Sequence, residues 1–129
     1  PAPPAMQLLT LNRSEQRRNG VLSEPLIQRH YVQVEADNLR HVLGDACRYC
    51  GAALHGAGEV DHLTPVARGG TTRTGNLTLA CTPCNRAKLA KTLDEFLSWR
   101  HERGLYVRTV EVPGERPDMP SSQQQRRTY

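Results

Sequence analysis

Cys47-Arg-Tyr-Cys50 and Cys81-Thr-Pro-Cys84 stand 30 residues apart and bracket Glu59-Val-Asp-His62-Leu-Thr-Pro65, a Gly69-Gly70 pair and Asn76-Leu77. A two-residue gap lets a tight turn aim two thiolates at one cation, and two such turns complete a tetrahedral sulfur site. Gly51 follows the first pair, where such a turn asks for a residue without Cβ strain. The second pair straddles a predicted helix start, whose dipole favours thiolate. Cys47, Cys50, Cys81 and Cys84 are therefore expected to hold one structural Zn2+ rather than to form two disulfides. A site with four sulfur ligands has no position left for a substrate water. Any chemistry must lie in the residues between the pairs.

Those residues run on past the second pair as Asn85-Arg-Ala-Lys88. An acidic-His pair, a downstream proline, a Gly-Gly loop, Asn-Leu, then Cys-x-x-Cys followed by Asn and Lys occur in one order. In this pattern the chain resembles the His-Asn-His (HNH) endonucleases of the zinc-bracketed type. The resemblance implies a small α+β fold, a ββα-metal finger stapled by the cysteine zinc, with flanking helices. It also implies roles: His62 as general base, Asp61 as a ligand of a catalytic divalent cation, and Asn76 as the residue that orients His62. The family's third letter falls on Asn85, giving a His-Asn-Asn variant in which Asn85 joins Asp61 at the cation. An amide oxygen is a neutral, hard ligand, which favours Mg2+ or Mn2+ over Ni2+ or Zn2+ at that centre. Glu59 is a further acidic candidate.

The residue types suit phosphodiester hydrolysis in their own right. That reaction needs a base for water, a cation against the charge on phosphate, and a scaffold that fixes both. Asp61 and His62 are neighbours, so on a strand they point to opposite faces unless the strand bends or ends there. The connection from Thr64 to Asn76 is long for a hairpin, and loops of that length are usually functional. Arg68, Arg73, Arg86, Lys88 and Lys91 are candidates for contacts to DNA phosphates, against the alternative of a solvated basic face.

Outward from the motif, Ser23-Glu24-Pro25 reads as a helix start, and Leu26, Ile27, Tyr31 and Val34 recur at helical spacing. Tyr31–Val34 is also compatible with a short strand. Asp37–Leu43 reads as a second short helix, capped by Asp37, stopped by Gly44 and turning Leu39, Val42 and Leu43 to the core. Glu59–Leu63 and Leu77–Ala80 are expected as strands, and Cys84–Lys91 as a helix with Thr82-Pro83 at its start. Thr92-Leu-Asp-Glu95 is a capping box that opens a helix ending at Gly104. Leu105–Val112 is compatible with a terminal strand. The expected domain is 21–112, with its motif core at 47–91. Residues 1–20 and 113–129, rich in proline, glutamine and basic pairs, are expected as solvated tails.

The chain has 129 residues with 17 Lys+Arg against 13 Asp+Glu, a formal charge of +4 that fits a polyanionic partner. Its hydrophobic share of 37%, with one Phe and one Trp, is lean for a domain of this size and calls for a staple. No apolar run is long enough to span a bilayer, and no secretory h-region follows Pro1–Met6. By analogy with small stand-alone nucleases, the resemblance implies the cytoplasm of a bacterial or phage-infected cell as the setting. The leading expectation is a metal-dependent DNA endonuclease acting on double-stranded DNA, by nicking or by cutting both strands. The alternatives are a zinc-stapled nucleic-acid-binding module without turnover and an assembly factor supported by the zinc site. Asp61-His62 discriminates them, because a plain binder gains nothing from a carboxylate facing phosphate.

Overall fold

The computed structural model describes residues 24–121. The chain divides into two compact units, Pro1–Glu35 and Ala36–Tyr129. Of the first, the described part is helical throughout. Among the described residues there are three α-helices and one two-stranded antiparallel sheet. No helix among them is long and apolar enough to cross a membrane.

Helix α1 spans Glu24–Leu43 as one element of 20 residues, where the sequence suggested two helices or a strand between them. Neither Gly nor Pro interrupts it after Pro25. Extending a helix adds a bond per residue, whereas a new start repeats the nucleation cost, so Asp37 lies inside the helix instead of capping one. Ala36, Leu39 and Leu43 are buried at helical spacing, while Val42, expected in the core, is 43% exposed. Past Gly44 the chain enters the first knuckle, where Cys47 N–H bonds Ala52 O at 2.9 Å and Gly51 N–H bonds Cys47 O at 3.0 Å. Gly51 turns there with φ 76°, a conformation L side chains resist.

Strands β1 (Glu59–His62) and β2 (Leu77–Ala80) pair with Glu59 opposite Ala80, Asp61 opposite Thr78 and His62 opposite Leu77. The connection between them is pinched shut at its base: Gly70 N–H reaches Pro65 O at 2.9 Å. A Cβ on Gly70 would lie 1.7 Å from Thr64 O, so only glycine permits this closure. Helix α2 covers Thr82–Lys88 with Cys81 as its N-cap, and it stops before the expected Lys91 because Leu89 takes φ 51°. That reversal launches helix α3, Leu93–Glu102, whose Thr92–Glu95 capping box is complete in both directions.

The core gathers Leu43, Tyr49, Leu63, Leu77, Leu79 and Phe96, each 2% exposed or less. Tyr49 meets Phe96 edge-on at 4.9 Å between ring centroids, and Phe96 stacks on Trp99 at 5.6 Å. A fully buried side chain of this kind contributes about 1.5–3 kcal/mol. Six such residues make a small core, which agrees with the need for a metal staple.

Two expectations at the C-terminal end do not hold among the described residues. Leu105–Val112 joins no sheet, since its contact with the knuckle is a single backbone bond, Arg108 N–H to Tyr49 O at 2.9 Å. The Arg108 guanidinium takes over, donating to Leu43 O, Ala46 O and Cys47 O at 2.8–3.2 Å. The segment from Pro113 to Ser121, expected as part of a solvated tail, lies against the β1–β2 connection through backbone and side-chain bonds. Its polar composition hides this, because those contacts are hydrogen bonds and ion pairs and need no apolar residue. The expected tails at 1–20 and 122–129 lie outside the described residues.

Candidate active site and metal centre

Cys47 and Cys50 come from the first knuckle, and Cys81 and Cys84 from the start of α2. Their four sulfurs lie within 4.8 Å of one another. Cys50 Sγ and Cys81 Sγ are 3.7 Å apart, and none of the four is in a disulfide. A tetrahedron with metal–sulfur bonds of 2.3 Å has edges of about 3.8 Å, so the spacing fits zinc. Backbone N–H groups of Tyr49 and Ala52 point at Cys47 Sγ and Cys50 Sγ at 3.4 Å, and Arg100 Nη1 lies 3.6 Å from Cys84 Sγ. These donors offset thiolate charge. The Cys84 thiol holds the Cys47 thiol well below its usual range, while Cys84 itself is pushed up by Cys47 and by burial. Four thiolates this close repel one another, and a bound cation is what would allow all four sulfurs to ionise together. The tetrad can hold a structural zinc.

Beside the tetrad, β1 and α2 carry the expected acidic and amide residues, which divide between two sets of partners. Asn85 sits in the first turn of α2 and its side-chain amide bonds Glu59, whose carboxylate also accepts from the Thr82 hydroxyl at 3.3 Å. Asp61 faces the same helix further along: its Oδ2 is 3.2 Å from Lys88 Nζ and accepts from the Tyr49 hydroxyl at 2.6 Å. Asn85 is thus joined to Glu59, whereas Asp61 is joined to Lys88 and Tyr49. Burial pushes the Tyr49 hydroxyl well above its usual range, with the Asp61 charge adding to it, so the phenol stays protonated as a donor.

Lys88 is a correction to the sequence reading. Offered as a candidate DNA-phosphate contact, with a solvated basic face as the alternative, it is fully buried, donates to His62 O at 2.8 Å and pairs with Asp61. It cannot reach a DNA phosphate. Burial pushes its ammonium down, and the Asp61 carboxylate pulls it back. Breaking a buried pair leaves an uncompensated charge, so Lys88→Met is expected to cost about 3 kcal/mol or more in chemical denaturation. A loss under about 1 kcal/mol would show that the pair is solvated in solution.

His62 ends β1 and turns toward the β1–β2 connection, where its Nε2 meets Thr72 Oγ1 at 3.0 Å. Asn76, expected to orient His62, makes its side-chain bonds to the connection instead of to the imidazole. It is fully buried, and its amide donates to Thr64 O and Thr71 O at 3.0 and 2.8 Å and accepts from Thr64 N–H and Asp118 N–H at 3.0 Å each. All four hydrogen-bonding positions of the amide are filled. Its link to His62 is therefore indirect, through the loop that carries Thr72. Sequence reasoning missed Thr72 and Tyr49; the position of Tyr49 inside Cys-x-x-Cys was the one available signal.

The other candidate phosphate contacts divide. Arg68 is engaged by Glu95 with its side chain 14% exposed, and Arg73 pairs with Asp118 at 2.6 Å. Lys91 donates to Ala87 O at 3.3 Å and lies over the Trp99 ring at 5.2 Å, while Arg86 is exposed on α2.

Residues 47–91 match the family model described as HNH endonuclease. No curated protein and no solved structure matches the chain.

Proposed function

We propose, on the premise that residues 47–91 are an HNH endonuclease domain, that this protein is a divalent-cation-dependent DNA endonuclease with His62 as its general base. The observation that carries the reading is the hold of Thr72 on the His62 ring, in a side chain that is only partly buried. With Nε2–H donating to the Thr72 hydroxyl, Nδ1 keeps its lone pair and takes the proton from the attacking water. Lys88, bonded to the His62 carbonyl, and Asn76, holding the loop, keep the ring in place without touching it. Asp61 and Asn85, with Glu59 beside them, would hold Mg2+ or Mn2+, which supplies charge neutralisation at the scissile phosphate and at the departing 3′-oxygen. The products then carry 5′-phosphates. The structural zinc, with four sulfur ligands, takes no part in the chemistry. Double-stranded DNA is the proposed substrate, and the net charge of +4 supports a polyanionic partner.

One observation favours the binding-only alternative: Asp61 Oδ2 is already engaged by Lys88 and Tyr49, as in a structural carboxylate. Incubation of pure protein with supercoiled plasmid in Mg2+, Mn2+ or EDTA separates the two. Nicked or linear product in Mg2+ or Mn2+ that disappears in EDTA is expected. A gel shift with no product under any metal would replace the nuclease with a zinc-stapled binder.

A further inference from the structure

The segment from Pro113 to Ser121 is tied along its length to the connection that carries Thr72. Arg48 grips the Glu115 carboxylate through two contacts of 2.9 Å, with both side chains largely buried. Arg116 N–H bonds Gly75 O at 2.7 Å, and Ser121 N–H bonds Arg68 O at 3.0 Å. A Cβ on Gly75 would come within 2.9 Å of Gly114 O, so the two backbones meet where no side chain fits.

Asp118 is the centre of this contact. Its N–H donates to Asn76 Oδ1 at 3.0 Å, and its carbonyl accepts from the Thr64 hydroxyl. Its carboxylate accepts from Thr71 N–H at 2.8 Å, from the Thr71 hydroxyl at 2.7 Å and from Arg73 Nε at 2.6 Å. Thr71 is therefore held from two sides, by Asp118 at its N–H and by Asn76 at its carbonyl. The next residue is Thr72, whose hydroxyl meets His62. Two anchors on the preceding residue, one on each of its flanking peptide groups, set the direction in which the Thr72 side chain leaves the backbone.

We propose that Asp118 is a positioning residue for His62, acting through Thr71 and Thr72, and that the segment around it is part of the active-site architecture. This rests on His62 being the general base. The bonds of Asp118 to Asn76, Thr64 and Arg73 are partly buried while its two bonds to Thr71 are exposed, and three of the five use a backbone group, the form of a brace and not of a cover that leaves. A base displaced by about 1 Å can lose on the order of 100-fold in rate, because proton transfer demands hydrogen-bond distance.

The test compares the full chain with Asp118→Ala, Asp118→Asn and a chain ending at Val112, each checked for zinc content and circular dichroism. Two readouts are taken: kcat and KM on plasmid, and the 15N resonances of the His62 imidazole. Asp118→Ala is expected to lower kcat about 10–100-fold with KM little changed, and to shift the Nε2 resonance away from its hydrogen-bonded position. Asp118→Asn keeps an acceptor for Thr71 but loses the charge opposite Arg73, so it should fall between. The truncated chain should lose at least as much as Asp118→Ala. If truncation costs zinc or fold, the two point variants decide. Unchanged His62 resonances and kcat in folded, zinc-loaded variants would overturn the proposal, as would a rise in kcat on truncation, which would make the segment a cover. If the full chain cuts no DNA, the nuclease reading fails, and the imidazole resonances still decide whether Asp118 positions His62.

Discussion

Replacing Cys84 with serine, or stripping metal with a strong chelator, is expected to unfold the domain and not merely silence it. Structural zinc in finger peptides contributes on the order of 10 kcal/mol or more of apparent binding free energy, as much as the whole stability of a typical domain. Cys84 is 4% exposed, lies in the first turn of α2 and accepts from Arg100, so its loss opens the metal site at a buried ligand. The core beside it is too small to compensate. Zinc ligands bind as thiolates, so acidification should release zinc as the sulfurs are protonated, and the fold should be lost with it. Metal analysis together with far-ultraviolet circular dichroism, before and after chelation and after zinc is restored, checks this. A zinc-free chain that keeps its native spectrum would sink the idea.

His62→Ala should leave zinc content, secondary structure and DNA affinity close to those of the parent while cleavage falls about 10²–10⁴-fold. That range corresponds to about 3–5 kcal/mol of barrier. The expectation of an intact fold has a positional reason. What ties β1 to Lys88 at this residue is the His62 backbone carbonyl, which alanine retains, and the imidazole lies outside both knuckles. The bond to Thr72 is lost, but Asn76 and Asp118 hold that loop independently. Plasmid nicking in Mg2+ and Mn2+, with a gel shift as the binding control, separates lost chemistry from lost affinity. Parent-level cleavage in well-folded His62→Ala protein would remove His62 from the role of base.

The parts of the fold that were legible in the sequence are those written in local chemistry. Two Cys-x-x-Cys turns, the Thr92–Glu95 box and the two short strand segments each carry their signal within four or five residues, and the structure has them where the sequence puts them. What stayed hidden depends on partners far along the chain. Lys88 reads as one more exposed helix lysine until Asp61 and the His62 carbonyl are seen above it. Asn76 reads as a partner for the histidine, yet its amide is spent on backbone of the loop. The bracing segment carries Pro, Gly, Glu, Arg and Asp, a composition that signals disorder when counted but here supplies the hydrogen bonds that close the β1–β2 connection. Helix α1 failed to break at Asp37 because a cap residue acts as a cap only where the helix has another reason to begin.

The bonds made by that segment also set an order of events during synthesis. Arg48 waits 67 residues for Glu115, and Asn76 waits 42 for Asp118. The last zinc ligand, Cys84, leaves the peptidyl-transferase centre 37 residues ahead of Ser121. At about 5–20 residues per second, that interval lasts about 2–7 s. A nascent chain therefore passes through a stage in which the metal finger is complete and the loop beside His62 is still unbraced. Translation stopped between Glu102 and Asp118 would release a chain that carries all four zinc ligands but lacks the last anchors of its histidine.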